Sequence, residues 1–350
     1  MTQTQLIALD WGTSSLRAYR LGPDGAVLEQ RQLATGIMHL PPVSSADQAA
    51  LGDKAGFEIA LKQACGDWLM AAPEIPQIPI IACGMIGSMQ GWSEAPYLPT
   101  PIAINQIGNT LTTVQTSDKL IIHIVPGLIQ HSELPNVMRG EETQVIGALS
   151  IATERQRKSG KRQVDEVLIG LPGTHSKWIR VHQHSTVPTI QQFDTFMTGE
   201  VYAALCAHTI LGRTMQAAIS APSDDDHAGN AAFLRGLDVA QTVAGRAGVL
   251  STIFSTRTLG LTGVLDGTGQ REYLSGLLIG HEIAVLRASL EQLIQRPQQI
   301  ILIGDNALCA RYKQALEVYE INDAAVMSQA TERGLWMLAE HAGLVSANRS

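Results

Sequence analysis

Aromatic residues are scarce in this chain, 5% of 350 positions, and charged residues reach only 16%. Neither shortage signals disorder, because 45% of the residues are hydrophobic and the length suffices for two domains with cores of their own. A basic surface is missing too. The formal charge of -7 argues against a nucleic-acid partner, since no basic stripe is present to neutralise phosphates. The densest basic stretch, Arg155 to Arg162, reads as an exposed loop. Cys65, Cys83, Cys206 and Cys309 are scattered and form no CxxC pair, so they read as buried small hydrophobes in a reducing compartment. No apolar run approaches the ~20 residues of a membrane helix, and no leader pattern precedes the first strand; a cytoplasmic location is expected. Walker A, HRD and DFG signatures are absent, and the glycine spacing about Ser88 is not that of a GxSxG elbow.

What is present is a repeated device. Leu9-Asp10-Trp11-Gly12-Thr13-Ser14-Ser15 and Leu171-Pro172-Gly173-Thr174-His175-Ser176-Lys177 lie about 160 residues apart. Each follows an apolar strand run, turns through Gly-Thr and further hydroxyls, and continues as a second strand. Two such turns facing each other across a cleft would clamp a polyphosphate. Glycine lets backbone N–H groups approach oxygen, hydroxyls add donors, and Asp10 can hold a hydrated Mg²⁺. The alternative for Asp10 is a cap on its own tight turn. Lys177 suits phosphate as a point charge, and His175 either donates to phosphate or merely sits beside it. The pattern predicts a nucleotide-using phosphotransferase of duplicated α/β design.

Strands are expected at Leu6 to Leu9, Leu16 to Leu21 and Val27 to Leu33, with a turn at Pro23-Asp24-Gly25. A polar loop, Pro41 to Asp53, leads to a helix over Phe57 to Met70. Then come a strand (Ile78 to Cys83), a glycine-rich loop (Gly84 to Gly91), a proline-rich crossing (Ala95 to Pro101), a strand (Leu120 to Val125) and a helix from Gly140 to Ile151. After a polar break at Arg155 to Asp165 the plan repeats, with a turn at His182 to Ser185, a third strand at Thr189 to Phe196 and a later strand at Ile300 to Ile303. Helices are expected around Glu200 to Leu211, Ala228 to Ala247, Glu272 to Ile294, Ala307 to Tyr319 and Glu332 to Gly343, the last packing back on the first half. Asp305 and Asn306 suit a helix N-cap, and Asp224-Asp225-Asp226-His227 reads as an acidic loop capping a helix rather than a metal site. Alternating strands and helices argue for two α/β domains with mixed sheets, 1–139 plus a C-terminal helix at 328–350, and 140–327.

Asn136-Val137-Met138-Arg139-Gly140-Glu141-Glu142-Thr143-Gln144 opens a helix with two adjacent carboxylates and an arginine. A carboxylate at a cleft-facing helix start can accept the proton of an attacking hydroxyl; the bland account is a favourable helix dipole. Adjacent helical residues point ~100° apart, so one of the pair is the expected base, Glu142 ahead of Glu141. Arg17 and Arg139 are candidate clamps for an anionic substrate, because guanidinium matches carboxylate bidentately. The loop Cys83-Gly84-Met85-Ile86-Gly87-Ser88-Met89-Gln90-Gly91-Trp92 reads as ligand-facing, with Gly84, Met85, Gly87 and Ser88 at the ligand and Trp92 and Tyr97 as walls.

The duplicated hairpin, the interdomain helix and the late Gly-helix element resemble the sugar-kinase/actin/hexokinase superfamily, in which two RNase H-like domains close on ATP and substrate. Blocks at Ala8 to Tyr19, Gly84 to Pro101, Val125 to Leu128, Asn136 to Ala148, Leu171 to Trp178, Phe193 to Glu200 and Glu272 to Glu282 resemble, in order and over nearly the whole length, the 2-dehydro-3-deoxygalactonokinase family. The resemblance implies an α/β fold of two RNase H-like domains around an interdomain cleft. It implies ATP and Mg²⁺ as cofactors, and phosphorylation of 2-dehydro-3-deoxy-D-galactonate at the 6-hydroxyl, in D-galactonate catabolism ahead of an aldolase. Carried over, Asp10 to Ser15 and Gly173 to Ser176 are the phosphate elements, and the helix of Glu141 and Glu142 holds the catalytic carboxylate. Relatives usually place Asp there, which keeps Asp194 in reserve. Ile303-Gly304-Asp305-Asn306-Ala307-Leu308 is the adenosine element, though relatives often carry hydroxyl residues after that glycine.

The alternatives are a superfamily kinase for another sugar acid or an amino sugar, and a nucleotide-dependent sugar sensor. The expected partner is a small-molecule sugar acid, with no nucleic acid and no membrane; monomer and homodimer both stay open.

Overall fold

The computed structural model describes residues 3–70, 78–160, 162–183, 187–215, 226–321 and 324–346. In chain order the elements are β1 (Leu6–Trp11), β2 (Leu16–Leu21), β3 (Val27–Leu33), α1 (Ser45–Leu51), α2 (Ala55–Met70), β4 (Ile80–Gly84), β5 (Tyr97–Pro99), β6 (Ile102–Ala103), α3 (Ile104–Gly108), β7 (Thr112–Gln115), β8 (Ile121–Ile124), β9 (Gly127–Gln130), β10 (Asn136–Met138) and α4 (Glu141–Lys158). There follow β11 (Glu166–Leu171), β12 (Ser176–His182), β13 (Thr189–Phe196), α5 (Thr198–His208), α6 (Asp226–Gln241), α7 (Val243–Arg246), α8 (Ser255–Leu261), α9 (Gly267–Glu291), β14 (Gln299–Ile303), α10 (Asn306–Val318), β15 (Ala324–Met327) and α11 (Ala330–His341). The α/β class with mixed sheets is as expected.

The chain divides into two compact units. Unit 1 comprises Met1–Asp165, Ile179–Phe193 and Met327–Ser350; unit 2 comprises Glu166–Trp178 and Asp194–Val326. In unit 1 a six-stranded sheet runs β3-β2-β1-β4-β8-β7. The opening meander is antiparallel, whereas β1, β4 and β8 are parallel, so Asp10 stands beside Cys83 and Trp11 beside Gly84 at their C-terminal ends. That end is where parallel α/β sheets place ligands. β1 reads LIALDW because it is covered on both faces; five of its six side chains are buried. α2 lays Phe57, Leu61 and Trp68 into this core. α11 crosses α4 at glycine contacts: a Cβ on Gly147 would lie 1.8 Å from the Ala330 carbonyl, and one on Gly334 1.9 Å from the Thr143 carbonyl. α11 also packs against β1.

In unit 2, β11 and β14 are parallel, with Gly170 beside Leu302, and β15 and the start of β12 flank them in the order β15-β14-β11-β12. α6, α9 and α10 cover this sheet with a core of Phe233, Leu237, Ile283, Leu286, Tyr312 and Leu316.

Several boundaries differ from expectation. Residues 155–158, expected in a loop, finish α4. Lys158 pairs with Glu154 at 2.7 Å, and Arg155, Arg157 and Lys158 suit the negative end of the helix dipole. The polar loop at 41–53 contains α1, because Ser44 caps it by accepting the Asp47 N–H at 3.1 Å. The helix expected over 228–247 breaks at Thr242, whose hydroxyl accepts from Gly245 N–H at 3.0 Å and starts α7. α9 begins at Gly267 rather than Glu272, since Asp266 caps it through the Gly269 N–H at 2.6 Å. The proline-rich crossing contains β5, parallel to β9. Cys65, Cys83 and Cys309 are buried and Cys206 half-buried, all as free thiols. Among the described residues no helix is long and apolar enough to cross a membrane. Of the acidic run, residues 224–225 and the side chains of 226–227 lie outside the described residues, as does His184.

Candidate active site

In unit 1 the site is built at the C-terminal ends of β1 and β4. Asp10 is directly opposite Arg17 in the β1–β2 ladder, and its Oδ2 accepts from Arg17 Nη1 at 3.4 Å. Burial raises the Asp10 carboxyl, Arg17 opposes that shift, and nearby Glu141 adds to it. The following turn closes with Gly12 N–H donating to Ser15 O at 2.9 Å, so this amide is committed inside the turn. The carbonyls of Gly12 and Thr13 accept from Ile37 and Met38, at 3.0 and 3.1 Å. Gly36 lies against them so closely that a Cβ would come 2.3 Å from Thr13 O. Thr13 and Ser14 are exposed at the tip, and Ser15 is half-buried.

Two glycines border the carboxylates. Gly84 adopts φ +89°, and a Cβ there would lie 2.8 Å from Trp11 O; one on Gly140, φ +108°, would lie 3.3 Å from Gly84 Cα. Glu141 accepts from Arg139 N–H at 2.9 Å. Glu142 has no exposed surface and accepts from Gly140 N–H and from the Thr143 hydroxyl. Burial, reinforced by the Glu141 charge, raises the Glu142 carboxyl to about 8. A carboxyl in that range exchanges protons near neutral pH.

Arg139 lies between Tyr97 and the glycine-rich loop. Its guanidinium stacks 4.2 Å over the Tyr97 ring, and a Cβ on Gly87 would fall 2.9 Å from Nη1. Nη2 donates to Ala95 O at 2.8 Å, while Nε and Nη1 are buried without a hydrogen-bond partner. The two idle donors lie on opposite edges of the guanidinium, either side of Nη2, and leave a buried cation short of acceptors. Arg17, by contrast, already faces Asp10. In the loop, Ser88 is buried and donates to Met85 O at 2.7 Å, and Met85 is half-buried.

Trp92 corrects one expectation. It is no wall of a ligand site, because it is 5% exposed and stacks on Phe57 at 5.6 Å, with Trp11 edge-on at 6.0 Å. Tyr97 is 39% exposed, with the Arg139 guanidinium stacked on its ring.

In unit 2 the second hairpin follows β11. Thr174 and His175 are exposed, and Gly173 has open space where a Cβ would be. His175 is held against Glu200. Ser176 and Lys177, expected to meet phosphate, are buried where β12 begins. The Ser176 hydroxyl donates to Glu282 at 2.7 Å, and Lys177 Nζ lies 3.5 Å from the His175 carbonyl. At the neighbouring strand end, a Cβ on Gly304 would lie 3.2 Å from Pro172 O. Asp305 caps α10 as expected, accepting from Leu308 N–H at 3.0 Å, and Asn306 is exposed.

A family model described as 2-keto-3-deoxy-galactonokinase matches residues 10–338. The chain belongs to this family. A protein of Rhizobium meliloti (strain 1021) named as a probable 2-dehydro-3-deoxygalactonokinase is 36% identical over 331 residues, covering 94% of each chain. The 2-dehydro-3-deoxygalactonokinase of Escherichia coli (strain K12) is 33% identical over 321 residues, 91% of this chain and 92% of that one. A crystal structure from Sinorhizobium meliloti, assigned the same enzyme name, superposes with a TM-score of 0.74 at 34% identity, covering 96% of this chain and 98% of that one.

Within this 2-keto-3-deoxy-galactonokinase fold the sequence reading overlooked Glu282, which lies behind the second hairpin. The available signal was a carboxylate inside the apolar run Leu277-Leu278-Ile279-Gly280-His281-Glu282-Ile283. A buried acid must find donors.

Proposed function

We propose that this chain transfers the γ-phosphoryl group of ATP to the 6-hydroxyl of 2-dehydro-3-deoxy-D-galactonate, giving the 6-phosphate and ADP. The observation that carries the reading is Arg139, a buried cation with donors left without acceptors, two residues before a helix that opens with Glu141 and Glu142. An acid substrate needs a cation for its carboxylate, and a hydroxyl nucleophile needs a proton acceptor. Family membership and the two named relatives support the same substrate.

Arg139 binds the substrate carboxylate, with Tyr97 and Gly87 holding the guanidinium flat. Glu142, at the start of α4 beside Asp10 and Glu141, takes the proton of the 6-hydroxyl; burial and the Glu141 charge raise its carboxyl to about 8. Glu141 orients the Arg139 backbone. In unit 2 the Gly173-Thr174 turn offers amides and a hydroxyl to the phosphates, and Gly304 to Asn306 adjoin the nucleoside.

Mg²⁺ fits Asp10. Among the described residues no group of three or more His, Cys, Asp or Glu side chains could hold a metal, and Mg²⁺ keeps its waters and takes one or two carboxylates plus phosphate oxygens. When bound, it supplies positive charge to the phosphates.

A coupled ADP assay with 2-dehydro-3-deoxy-D-galactonate, other sugar acids, amino sugars and neutral hexoses tests the reading. The keto-acid is expected to give the highest kcat/KM. A neutral hexose that outcompetes it would overturn the role of Arg139 and the substrate together.

A further inference from the structure

The Glu282 carboxylate is enclosed in unit 2 and met by four uncharged donors. Oε1 accepts from the Ser176 hydroxyl and the Trp178 indole, each at 2.7 Å. Oε2 accepts from the Tyr312 hydroxyl at 2.8 Å and from the Thr198 hydroxyl. One side chain of α9 thereby joins β12, α5 and α10. Burial raises the Glu282 carboxyl and the four donors oppose that shift, because hydrogen bonds to the ionised form are about twice as strong as neutral ones.

The position of those donors gives the arrangement its meaning. Ser176 and Trp178 lie on the strand that leaves the Gly173-Thr174-His175 turn. Thr198 opens the helix that supports the turn from the other side. A Cβ on the next residue, Gly199, would lie 2.4 Å from Gly173 O and 2.8 Å from Thr174 Cα. Glu200 N–H donates to Thr174 O at 3.0 Å, and the Glu200 carboxylate holds His175. Both supports of the turn therefore converge on one carboxylate behind it. Since the Ser176 and Thr198 hydroxyls point at Glu282, phosphate contact falls to the turn backbone and the Thr174 hydroxyl.

We infer that Glu282 is a positioning residue for nucleotide binding: it fixes β12 against α5, and so sets the Gly173-Thr174 backbone for the phosphates. This rests on the nucleotide reading above, and not on the identity of the sugar acid. Glutamine at 282 keeps the volume and removes the charge: its oxygen can still accept from Ser176 and Trp178 while its NH2 faces the Thr198 and Tyr312 hydroxyls, so charge-assisted bonds become weaker neutral ones.

The test is ADP binding with Mg²⁺, by calorimetry, to the intact chain and to Glu282→Gln and Tyr312→Phe. Glu282→Gln is expected to weaken ADP roughly tenfold, the scale of one lost charged hydrogen bond, and to raise KM for ATP equally. KM for the sugar acid stays within about twofold, a split that general destabilisation would not produce. Tyr312→Phe removes a donor remote from the turn and is expected to weaken ADP about threefold on the same scale. ADP affinity within twofold of the parent in both variants overturns the inference. Should Glu282→Gln not fold, Tyr312→Phe and Thr198→Val decide by the same measure. A parent chain that binds ADP yet ignores the keto-acid overturns the substrate and leaves this result standing; one that binds no ADP overturns both.

Discussion

The backbone N–H of Gly140 donates to both carboxylate oxygens of Glu142, at 2.9 and 2.7 Å. This contact places a buried acid at the first turn of α4, and its carboxyl is raised from the usual 4.5 to about 8 by burial and by Glu141. If this group takes the substrate proton, it works only when ionised, so kcat rises with pH towards a plateau above about 8. Glu142→Gln should lower kcat by roughly 10²–10⁴, while Glu141→Gln keeps more of it. Steady-state rates from pH 6 to 9 check both; a Glu142→Gln enzyme with the parent profile refutes the assignment.

The raised carboxyl also has a consequence for stability. The folded chain keeps its proton on Glu142 up to about 8, whereas the unfolded chain loses it near 4.5. This group's contribution is thus full below the unfolded value and declines as pH rises through that window. Glu142→Gln cannot ionise. Its stability relative to the parent should increase between those pH values by a few kcal/mol, because each tenfold change in proton affinity between the folded and unfolded chain is worth about 1.4 kcal/mol. Urea unfolding at several pH values measures the difference.

Arg139→Lys keeps the charge and loses the planar fork. KM for the sugar acid should rise tenfold or more, on the scale of ~1.5–3 kcal/mol for a charged hydrogen bond, with KM for ATP unchanged. Arg17→Lys should act less on the sugar acid, because Arg17 already faces Asp10. Equal effects of the two on the sugar-acid KM would remove the preference for Arg139.

Trp92→Ala should unfold the protein more readily, by about 3–5 kcal/mol, because the indole fills the core between Phe57 and Trp11. In any molecules that remain folded, KM for the sugar acid should stay near the parent value. Thermal unfolding alongside kinetics separates the two effects.

Gly334→Ala places a methyl group 1.9 Å from the Thr143 carbonyl, which belongs to a helix and cannot give way locally. A cost of at least ~1–3 kcal/mol is expected. Lost activity should track lost folded protein in denaturant titrations.

Much of the fold was legible because apolar runs and turn chemistry agree. β2, β3 and β13 fall where the pattern puts them, since alternation and flanking Gly, Pro and Asp mark both ends. Helix ends were harder: α1, α7 and the true start of α9 depend on single capping hydrogen bonds by Ser44, Thr242 and Asp266. The candidate residues Asp10, Arg139, Glu141 and Glu142 stand out in local motifs. Trp92 could not be placed, because ligand walls and core aromatics look alike until the partners are known. Ser176 and Glu282 are about a hundred residues apart in the chain. Nothing local in either segment says that the hydroxyl of one serves the carboxylate of the other.

The threading of the chain also sets an order of assembly. Every residue of unit 2 precedes position 327, whereas unit 1 takes in the final segment, Met327–Ser350. A ribosome therefore delivers all of the later-starting unit first. The unit that holds the amino terminus waits for α11, which bears on the helix of Glu141 and Glu142, before its packing is complete.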